Sequence, residues 1–395
     1  MPRFEPFPGL RYATDRVQLD DVIAPPYDVI TAEEQAALEA RSDYNSVRLE
    51  LPRDQPDLDR YQSAARLLQQ WRADGVLVRD ETPSLYGYRM VFTDETGRIR
   101  HTVGVIGTLG LETPGEGDVW PHERTTPKDK SDRLQLLRAT RANMSPIWGL
   151  SLAKGLSELL AASATPADAR LEAKDDDGVA HQLWPITDPD SIAAISAAVG
   201  EAPVVIADGH HRFETALTYR DEHRTPGAGA VMALLVELVD DQLSVRPIHR
   251  LIAGVPDDFD PTHLIAALER SFELTPTDPP DHTIQDRMAA ANSLALVTAE
   301  GTWLLTPKDT SSELDSATLD AALSQLPAHE LTYQAGWDLA TAAVTKGTAQ
   351  AAVLLRPATV ARIAATGRGG QRMPPKTTYF WPKPRTGLVF REVDG

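Results

Sequence analysis

The feature that most restricts the fold is a short apolar run that passes directly into a polar turn and then into a helical pattern. Residues 203–207 read PVVIA, residues 208–212 read DGHHR, and residues 213–223 read FETALTYRDEH. A continuous apolar run of this length predicts a buried strand, and the segment after the turn has helical spacing. This strand–turn–helix unit is typical of a mixed α/β protein, in which helices pack on a sheet.

Other segments show the same two patterns. Thr31 is a good N-cap and Glu34 follows three residues later, which predicts a helix over 32–40. Ser131 similarly predicts a helix over 131–141. We expect a further helix at 58–72, a hairpin of strands 85–92 and 100–110, and strands at 231–239 and 244–252. Because the pattern changes near residue 256, we expect a catalytic portion at 1–255 and a second α/β portion at 256–395.

Composition excludes several classes of protein. The chain has no cysteine, so a disulfide, a thiol nucleophile and a Cys-type zinc site are excluded. Lys and Arg number 39 against 57 Asp and Glu, a net charge of −18, which disfavours general nucleic-acid binding. No apolar run is long enough for a membrane span, and residues 1–15 lack the apolar segment of a signal peptide. We therefore expect a cytoplasmic protein.

Positive charge collects in two places despite this balance. Residues 122–141 carry a net +3, and residues 361–390 carry six basic residues with no acid. Two basic segments in an acidic chain suggest a small anionic ligand. Solvated faces, or salt bridges to the acidic remainder, explain each segment equally well.

The DGHHR turn has the chemistry of an anion site. Gly209 allows close backbone approach or a positive φ. The residues after it open a helix whose first amides favour an anion, and Arg212 can bind phosphate in bidentate fashion. His210 and His211 add two imidazoles. Asp208 can orient a histidine, accept a proton or hold a metal.

Both basic segments contain candidate site residues. Glu123 lies beside cationic groups and suits a general base or a magnesium ligand. Lys128 and Arg133 follow it as candidate phosphate-binding residues, and Lys376 and Lys383 extend that set from the second segment. A charged loop before a helix, or a packed terminal strand, is the structural alternative in each case.

Two further segments offer substrate contacts. Asn143 and Ser145 supply an amide and a hydroxyl next to a proline, and a turn accounts for them equally well. Arg246 and His249 lie in VRPIHR, where they cannot share one face of a strand. The P-loop, the Rossmann fingerprint, G-x-S-x-G and H-E-x-x-H are all absent from the sequence.

Several segments together resemble a bacterial and archaeal family of unknown function, DUF1015. They are IAPPYDVI (23–30), HERTTPKDKSDR (122–133), NMSPIWGL (143–150), IADGHHRFETAL (206–217), RPIHR (246–250) and MPPKTTYFWPK (373–383). The resemblance spans nearly the whole chain, but the family label names no chemistry.

The DGHHR turn also resembles the one in the ParB/sulfiredoxin superfamily, which includes free-serine kinases. That resemblance implies a ParB/sulfiredoxin-like core in which residues 208–212 bind phosphate and assist its transfer. It implies Glu123 as the base on a serine hydroxyl, and members of the DUF1015 family resemble a pyrophosphate-using branch of these kinases. The acidic composition, without a helix-turn-helix pattern, departs from a DNA-binding ParB protein.

The resulting hypothesis is a small-molecule phosphotransferase. Free L-serine or a similar alcohol would accept phosphate from pyrophosphate or a nucleotide, with Mg²⁺ held in part by Asp208. One alternative is a metal-dependent hydrolase that uses His122, Glu123, Asp208, His210 and His211. The other is a non-catalytic nucleotide-binding module. The sequence leaves the donor, the acceptor and the oligomeric state open.

Overall fold

The structure is a computed structural model of the 395-residue chain. It describes residues 1–94, 97–113, 115–121, 127–163, 171–239, 242–256, 261–309, 315–326, 329–359, 363, 365 and 378–393. For residues 127–130 and 261–262 it describes the backbone alone. No helix among the described residues has the length and apolar character that a bilayer crossing requires.

Helices and strands alternate along most of the chain. The helices are α1 (Leu19–Val22), α2 (Ala32–Arg41), α3 (Val47–Glu50), α4 (Arg60–Ala73), α5 (Pro127–Thr140), α6 (Leu156–Ala162), α7 (Pro189–Gly200), α8 (His210–His223), α9 (Pro261–Leu268), α10 (Ile284–Ala290), α11 (Asp315–Leu323) and α12 (Trp337–Thr345). The strands are β1 (Phe4–Glu5), β2 (Leu10–Tyr12), β3 (Leu77–Arg79), β4 (Leu85–Thr93), β5 (Ile99–Gly110), β6 (Val119–Pro121), β7 (Ala142–Asn143), β8 (Ile147–Ser151), β9 (Leu171–Lys174), β10 (Ala180–Ile186), β11 (Val204–Asp208), β12 (Ala230–Glu237), β13 (Ser244–Ala253), β14 (Phe272–Thr277), β15 (Leu294–Thr298), β16 (Thr302–Pro307), β17 (Glu330–Ala335), β18 (Ala351–Leu354), β19 (Thr378–Trp381) and β20 (Arg391–Glu392).

The chain divides into two compact units. The first contains the described residues up to Ser244 together with residues 382–393, and the second contains those from Val245 to residue 365 together with 378–381. The change of unit along the chain falls at 244/245, whereas the sequence predicts a boundary near residue 255. The two-part assignment of function to residues 1–255 and 256–395 stays a prediction.

The first unit is built on a large mixed sheet. Among the described residues, its strands follow the order β6-β11-β8-β12-β5-β4-β10-β9, and β1 also pairs with β5. The pairs β11–β6 and β12–β8 are parallel, and the other pairs are antiparallel. Helices α6, α7 and α8 supply side chains to the apolar core on this sheet, including the fully buried Phe213. The predicted mixed α/β class is confirmed.

The second unit has its own sheet and its own apolar clusters. Its described strands follow the order β14-β16-β15-β18-β13-β17, with β19 also paired to β13. One cluster contains Leu268 and Phe272, and the other contains Met288 and Ala340. Because each unit has its own apolar core, the hydrophobic pattern of the sequence changes between the units.

Local signals place several elements correctly. Helix α2 begins after a complete capping box, in which the Thr31 side chain accepts from Glu34 and the Glu34 side chain accepts from Thr31. Strands β4 and β5 form the predicted antiparallel hairpin. The prediction that Ser131 caps the next helix is wrong, because α5 begins four residues earlier, at Pro127. Proline is favoured at the first helical position, since it lacks the N–H that would be unpaired there.

Candidate functional site

A single glycine joins β11 to α8 at the centre of the DGHHR motif. Gly209 has a φ of 88°, in the left-handed region. A Cβ at this position would lie 3.0 Å from nitrogen atoms of Arg212 and 3.1 Å from Ile147. The left-handed conformation therefore favours glycine, and the space for a β-carbon is tight. Helix α8 begins at His210 without a side-chain cap, so the positive end of its dipole lies at this turn.

A β-bulge lies immediately before the turn. The register between β11 and β8 shifts between Ile206 and Asp208, and Asp208 pairs with Trp148. Bulges interrupt the regular alternation of side chains and are common beside active sites, where they redirect a side chain. The regular pairing of β11 is thus interrupted at Asp208, the first residue of the DGHHR motif.

The Asp208 carboxylate binds two cations. Its Oδ2 accepts a hydrogen bond of 2.9 Å from Arg212 Nη2, and its Oδ1 accepts one from Lys383 Nζ. Lys383 Nζ also lies 3.8 Å from Asp28 Oδ2. Burial raises the pKa of Asp208, but Lys383 and Arg212 lower it more, so the carboxyl stays ionised far below its usual range.

Arg212 connects Asp208 to the segment before β8. Its Nη1 donates to Ser145 Oγ at 2.8 Å and to the Pro146 carbonyl at 2.7 Å. The guanidinium therefore satisfies a carboxylate, a hydroxyl and a carbonyl at once. A planar fork with five donors suits this geometry, and a lysine ammonium at the same position would lack it.

A second buried acid continues the network. Glu50, at the end of α3, accepts a hydrogen bond of 3.1 Å from Ser145 Oγ. Its backbone carbonyl accepts one of 2.8 Å from Arg133 Nη1, and that nitrogen lies 3.6 Å from Glu50 Oε1. Burial raises the pKa of Glu50, while Arg133 and Arg212 oppose the rise. The net effect is a raised pKa, so the Glu50 carboxyl is protonated more easily than an ordinary glutamate.

Arg133 lies between Glu50 of α3 and the ring of Tyr27. Its Nε donates to Asp132 Oδ2 at 2.9 Å, and its guanidinium lies 4.2 Å from the centre of the Tyr27 ring. The side chain is only 6% exposed. A guanidinium held on an aromatic face and between two acids has few other rotamers available, so its position is fixed.

A small cavity of about 50 Å³ lies beside this network. Glu50, Ser145, Arg212 and Thr215 are among the residues that line it. Glu50 Oε2, Arg212 Nε and Thr215 Oγ1 are buried and have no hydrogen-bond partner among the described residues. Since about 10–15 Å³ of such volume holds a water molecule, the cavity has room for a small polar group.

The segment 382–390 delivers Lys383 to Asp208. Arg385, two residues later, donates to Asp175 Oδ2 at 2.7 Å and to Asp177 Oδ2 at 2.8 Å. Its backbone N–H donates to Tyr88 Oη at 3.2 Å. The whole segment is buried, so the Lys383 ammonium belongs to a packed element. This described part of the basic segment is therefore packed against the rest of the unit and is not an exposed tail.

The two histidines of the motif occupy the first positions of α8. His210 is buried, and its charge contributes to lowering the pKa of Asp208. His211 is partly buried. Both therefore lie at the uncapped helix N-terminus that the motif predicts.

Acids and cations nearly balance in this network. Asp28, Glu50, Asp132 and Asp208 stand against Arg133, Arg212 and Lys383. The described residues thus form a paired array of opposite charges rather than a purely cationic hollow. An incoming anion would meet cations that are already held in position by carboxylates.

The remaining predicted substrate contacts have structural partners. Asn143 Oδ1 accepts hydrogen bonds of 3.0 Å from the Met232 N–H and from Arg391 Nη1. Arg246 and His249 belong to the second unit. There the Arg246 guanidinium lies 3.8 Å from the Trp381 ring centre. Burial of His249, together with the positive charge of Arg250, lowers the pKa of His249 to about 4.

Four predicted residues lie outside this description. His122, Glu123 and Lys376 are not among the described residues, and the side chain of Lys128 is not described. Their predicted roles as metal ligand, base and phosphate-binding groups stay predictions.

Sequence reasoning missed Tyr27, Asp28 and Glu50. The first two follow a double proline in IAPPYDVI, where polar residues after a rigid turn are a usable signal. Glu50 follows an apolar residue in VRLELP and carries no local signal. Only its burial and its partners identify it.

The described residues contain no group of three or more His, Asp or Glu arranged to hold a metal ion. Asp208 uses one lone pair of each oxygen for Arg212 and Lys383, and each oxygen retains a second. A Mg²⁺ ion usually takes one or two carboxylates and completes its shell with substrate phosphates and water. The Asp208 carboxylate is compatible with such a shared ion.

Comparisons with solved structures give low similarity. A conserved hypothetical protein from Pyrococcus furiosus has a TM-score of 0.40 at 15% identity and covers 70% of this chain and 93% of its own. A mutant free serine kinase in complex with AMP also has a TM-score of 0.40 at 15% identity, with coverages of 67% and 84%. SbnI from Staphylococcus aureus, with a C-terminal truncation, has a TM-score of 0.40 at 12% identity, with coverages of 72% and 86%.

No curated protein matches the chain. The model of one family, described as a protein of unknown function, matches residues 4–328. That range contains the double proline, the DGHHR turn, the network around Asp208 except Lys383, and most of the second unit. On this match the chain belongs to the DUF1015 family.

Proposed function

We propose that the protein is a small-molecule phosphotransferase. It would move a phosphoryl group from pyrophosphate or a nucleotide to the hydroxyl of free L-serine or a similar alcohol. The observation that carries the proposal is the convergence of Arg212 and Lys383 on Asp208, at the uncapped N-terminus of α8. We further propose that this turn is of the ParB/sulfiredoxin type, with residues 208–212 as its phosphate-binding part.

The geometry supports this reaction class because the cations of the site are held in position before a ligand binds. Phosphoryl transfer is catalysed mainly by positioning and by neutralising charge on the transferred group. Asp208 holds the two cations in place before any ligand binds, so they need no reorganisation at the moment of reaction. A phosphate at the first amides of α8 would receive dipole, amide and cationic contacts together.

The proposed reaction needs one general base. The serine oxygen forms a bond to phosphorus while the bridging P–O bond of the donor breaks, and inorganic phosphate leaves when the donor is pyrophosphate. The hydroxyl proton passes to a carboxylate, for which we propose Glu123. Mg²⁺ would be held in part by the Asp208 carboxylate and would neutralise negative charge on the donor phosphates. Arg133, Lys128 and Lys376 complete the proposed set of phosphate ligands.

The direct test is product formation. The protein is incubated with L-serine and Mg²⁺ and, separately, with pyrophosphate, ADP or ATP, and phosphoserine is followed by ³¹P NMR. We expect phosphoserine with at least one donor. Glu123→Gln should lower turnover by about 10²–10⁴-fold, the usual contribution of a general base.

Matched variants test the cations. Lys383→Met should lower turnover by at least about 100-fold, whereas Lys154→Met, which removes an exposed lysine of the same unit, should have no effect. Because the first change leaves Asp208 with one cation fewer, urea unfolding of the double variant Lys383→Met with Asp208→Asn shows how much of any lost stability comes from that charge imbalance. Full activity in a folded Lys383→Met protein would remove this residue from the proposed role.

The same assay separates the other two functions. A non-catalytic module would bind ADP or pyrophosphate saturably and form no phosphoserine. A hydrolase would release inorganic phosphate without serine and would need a tightly bound transition metal. The described residues supply no observation that favours either function over transfer.

A further inference from the structure

The first unit contains a second cavity that shares no residue with the network around Asp208. It has a volume of about 380 Å³, within the range of small-molecule sites. Its lining includes Arg89, His101, Val103, Leu160, Trp184 and Gln242. The cavity thus joins an apolar wall to a few polar groups, which is the usual composition of a ligand site.

The floor is one face of three paired strands. Arg89 of β4 pairs with Gln182 of β10 on one side and with Val103 of β5 on the other. In the next row of this face Trp184 lies opposite Gly87. A Cβ on Gly87 would lie 2.1 Å from the Trp184 ring, so the indole lies directly on the β4 backbone. The indole of Trp184 can occupy this position only because Gly87 has no side chain.

The wall is formed by α6, which packs against β5 and β12. Leu160 is buried in the apolar core, Ala161 is exposed, and both line the cavity. The cavity therefore lies where the core of this unit ends and its polar border begins. A ligand bound here would place an apolar body against Leu160 and Trp184.

Arg89 makes the polar end unusual. Its side chain is partly buried, its Nε is buried without a hydrogen-bond partner, and no described carboxylate pairs with it. Ser157 Oγ and Gln182 Oε1 are likewise buried without partners among the described residues. The described lining contains a guanidinium and an imidazole but no carboxylate, although the whole chain carries a net charge of −18.

We propose that this cavity is a second ligand site, which binds a small monocarboxylate with an apolar body. The guanidinium of Arg89 would bind the carboxylate in bidentate fashion, and Ser157 or His101 would donate to it. The apolar body would lie against Trp184, Val103 and Leu160. Binding would pair a guanidinium that lies partly buried and has no counter-charge among the described residues.

The probes are benzoate, hexanoate and the neutral benzamide, each titrated by isothermal calorimetry into the full-length protein. We expect saturable binding of benzoate or hexanoate at one site per chain, and weaker binding of benzamide. Arg89→Met should raise the dissociation constant of the carboxylate by about 10–100-fold, the value of a charge-assisted pair. It should also remove the preference for benzoate over benzamide.

Three further variants complete the test. Arg98→Met removes an exposed arginine of the same hairpin that does not line the cavity, and it should leave binding unchanged. Ala161→Trp fills the cavity from an exposed position and should abolish binding with the fold intact. Lys383→Met should have no effect, because the two sites share no residue.

Two results would overturn the proposal. One is the absence of saturable carboxylate binding to the wild-type protein. The other is an Arg89→Met or Ala161→Trp protein, folded by circular dichroism, that binds benzoate as tightly as wild type. If Arg89→Met fails to fold, Ala161→Trp decides the outcome alone. Neither result bears on phosphotransfer, which is tested by phosphoserine formation.

Discussion

Acid should destabilise the first unit by protonating Asp175, and the size of the effect follows from its contacts. Asp175 Oδ2 lies 2.9 Å from His181 Nε2 and accepts a hydrogen bond of 2.7 Å from Arg385 Nε. Burial raises the pKa of Asp175, but the hydrogen bond to His181 and the charge of Arg385 lower it more, to about 2 from an ordinary 3.8. The side chain is 5% exposed, so solvent screens these contacts little.

The pKa difference converts into a free energy of unfolding. Each unit is 1.36 kcal/mol, so the shift corresponds to about 2 kcal/mol of stability. Because the pKa is depressed in the folded state, this contribution is complete above about pH 4 and is lost as the pH falls toward 2. About 1 kcal/mol, roughly half, is already lost at pH 3. The buried His181 acts in the same direction, since its lowered pKa opposes protonation below 6.5.

Urea unfolding of wild type and Asp175→Asn between pH 7 and pH 3, followed by near-ultraviolet circular dichroism, measures the effect. We expect Asp175→Asn to be less stable by about 2 kcal/mol or more at pH 7, with the difference shrinking by about 1 kcal/mol at pH 3. The control is Asp176→Asn, where the carboxylate is 73% exposed and pairs with Arg41 at 2.7 Å. It should change stability by less than about 0.5 kcal/mol at every pH. A pH-independent difference for Asp175→Asn would refute the linkage argument.

Three changes in the candidate site have expected outcomes of their own. Gly209→Ala places a residue with a β-carbon in the left-handed region, and that carbon would lie close to Arg212. Thermal unfolding should show a loss of about 1–2 kcal/mol or more in the free energy of unfolding. Ser145→Ala removes the hydroxyl between Arg212 and Glu50, and urea unfolding should show a loss of about 1–3 kcal/mol, with weaker pyrophosphate binding in calorimetry. Phe213→Ala empties a fully buried position in the core under the motif, and denaturation should show a loss of about 3–5 kcal/mol.

Local physics explains which parts of the fold the sequence predicts. The capping box of α2, the hairpin of β4 and β5, and the buried strand β11 are each specified by residues close together in the chain. The start of α8 is less well predicted, because the DGHHR segment has the composition of a turn. In the structure the helix begins at His210, and only Gly209 lies outside regular structure.

The candidate site is a tertiary property, and for that reason it is only partly predictable. Glu50 and Ser145 are separated by 95 residues, and Asp208 and Lys383 by 175. The two basic segments direct attention to Arg133 and Lys383, and the DGHHR turn directs it to Arg212. The sequence does not show that Arg133 also contacts Glu50 or that Lys383 pairs with Asp208, because pairings at this separation follow from the packing of several elements.

The segment 382–390 links the stability of the sheet to the proposed chemistry. Pro382 and Pro384 flank Lys383 and restrict its backbone, while Arg385 is held by the buried Asp175 of the turn after β9. The position of the Lys383 ammonium therefore depends on Asp175, a residue with no place in the reaction. Asp175→Asn should therefore lower turnover as well as stability. The loss of turnover should persist at temperatures well below unfolding, where a purely global effect on stability would leave the folded fraction and its activity intact.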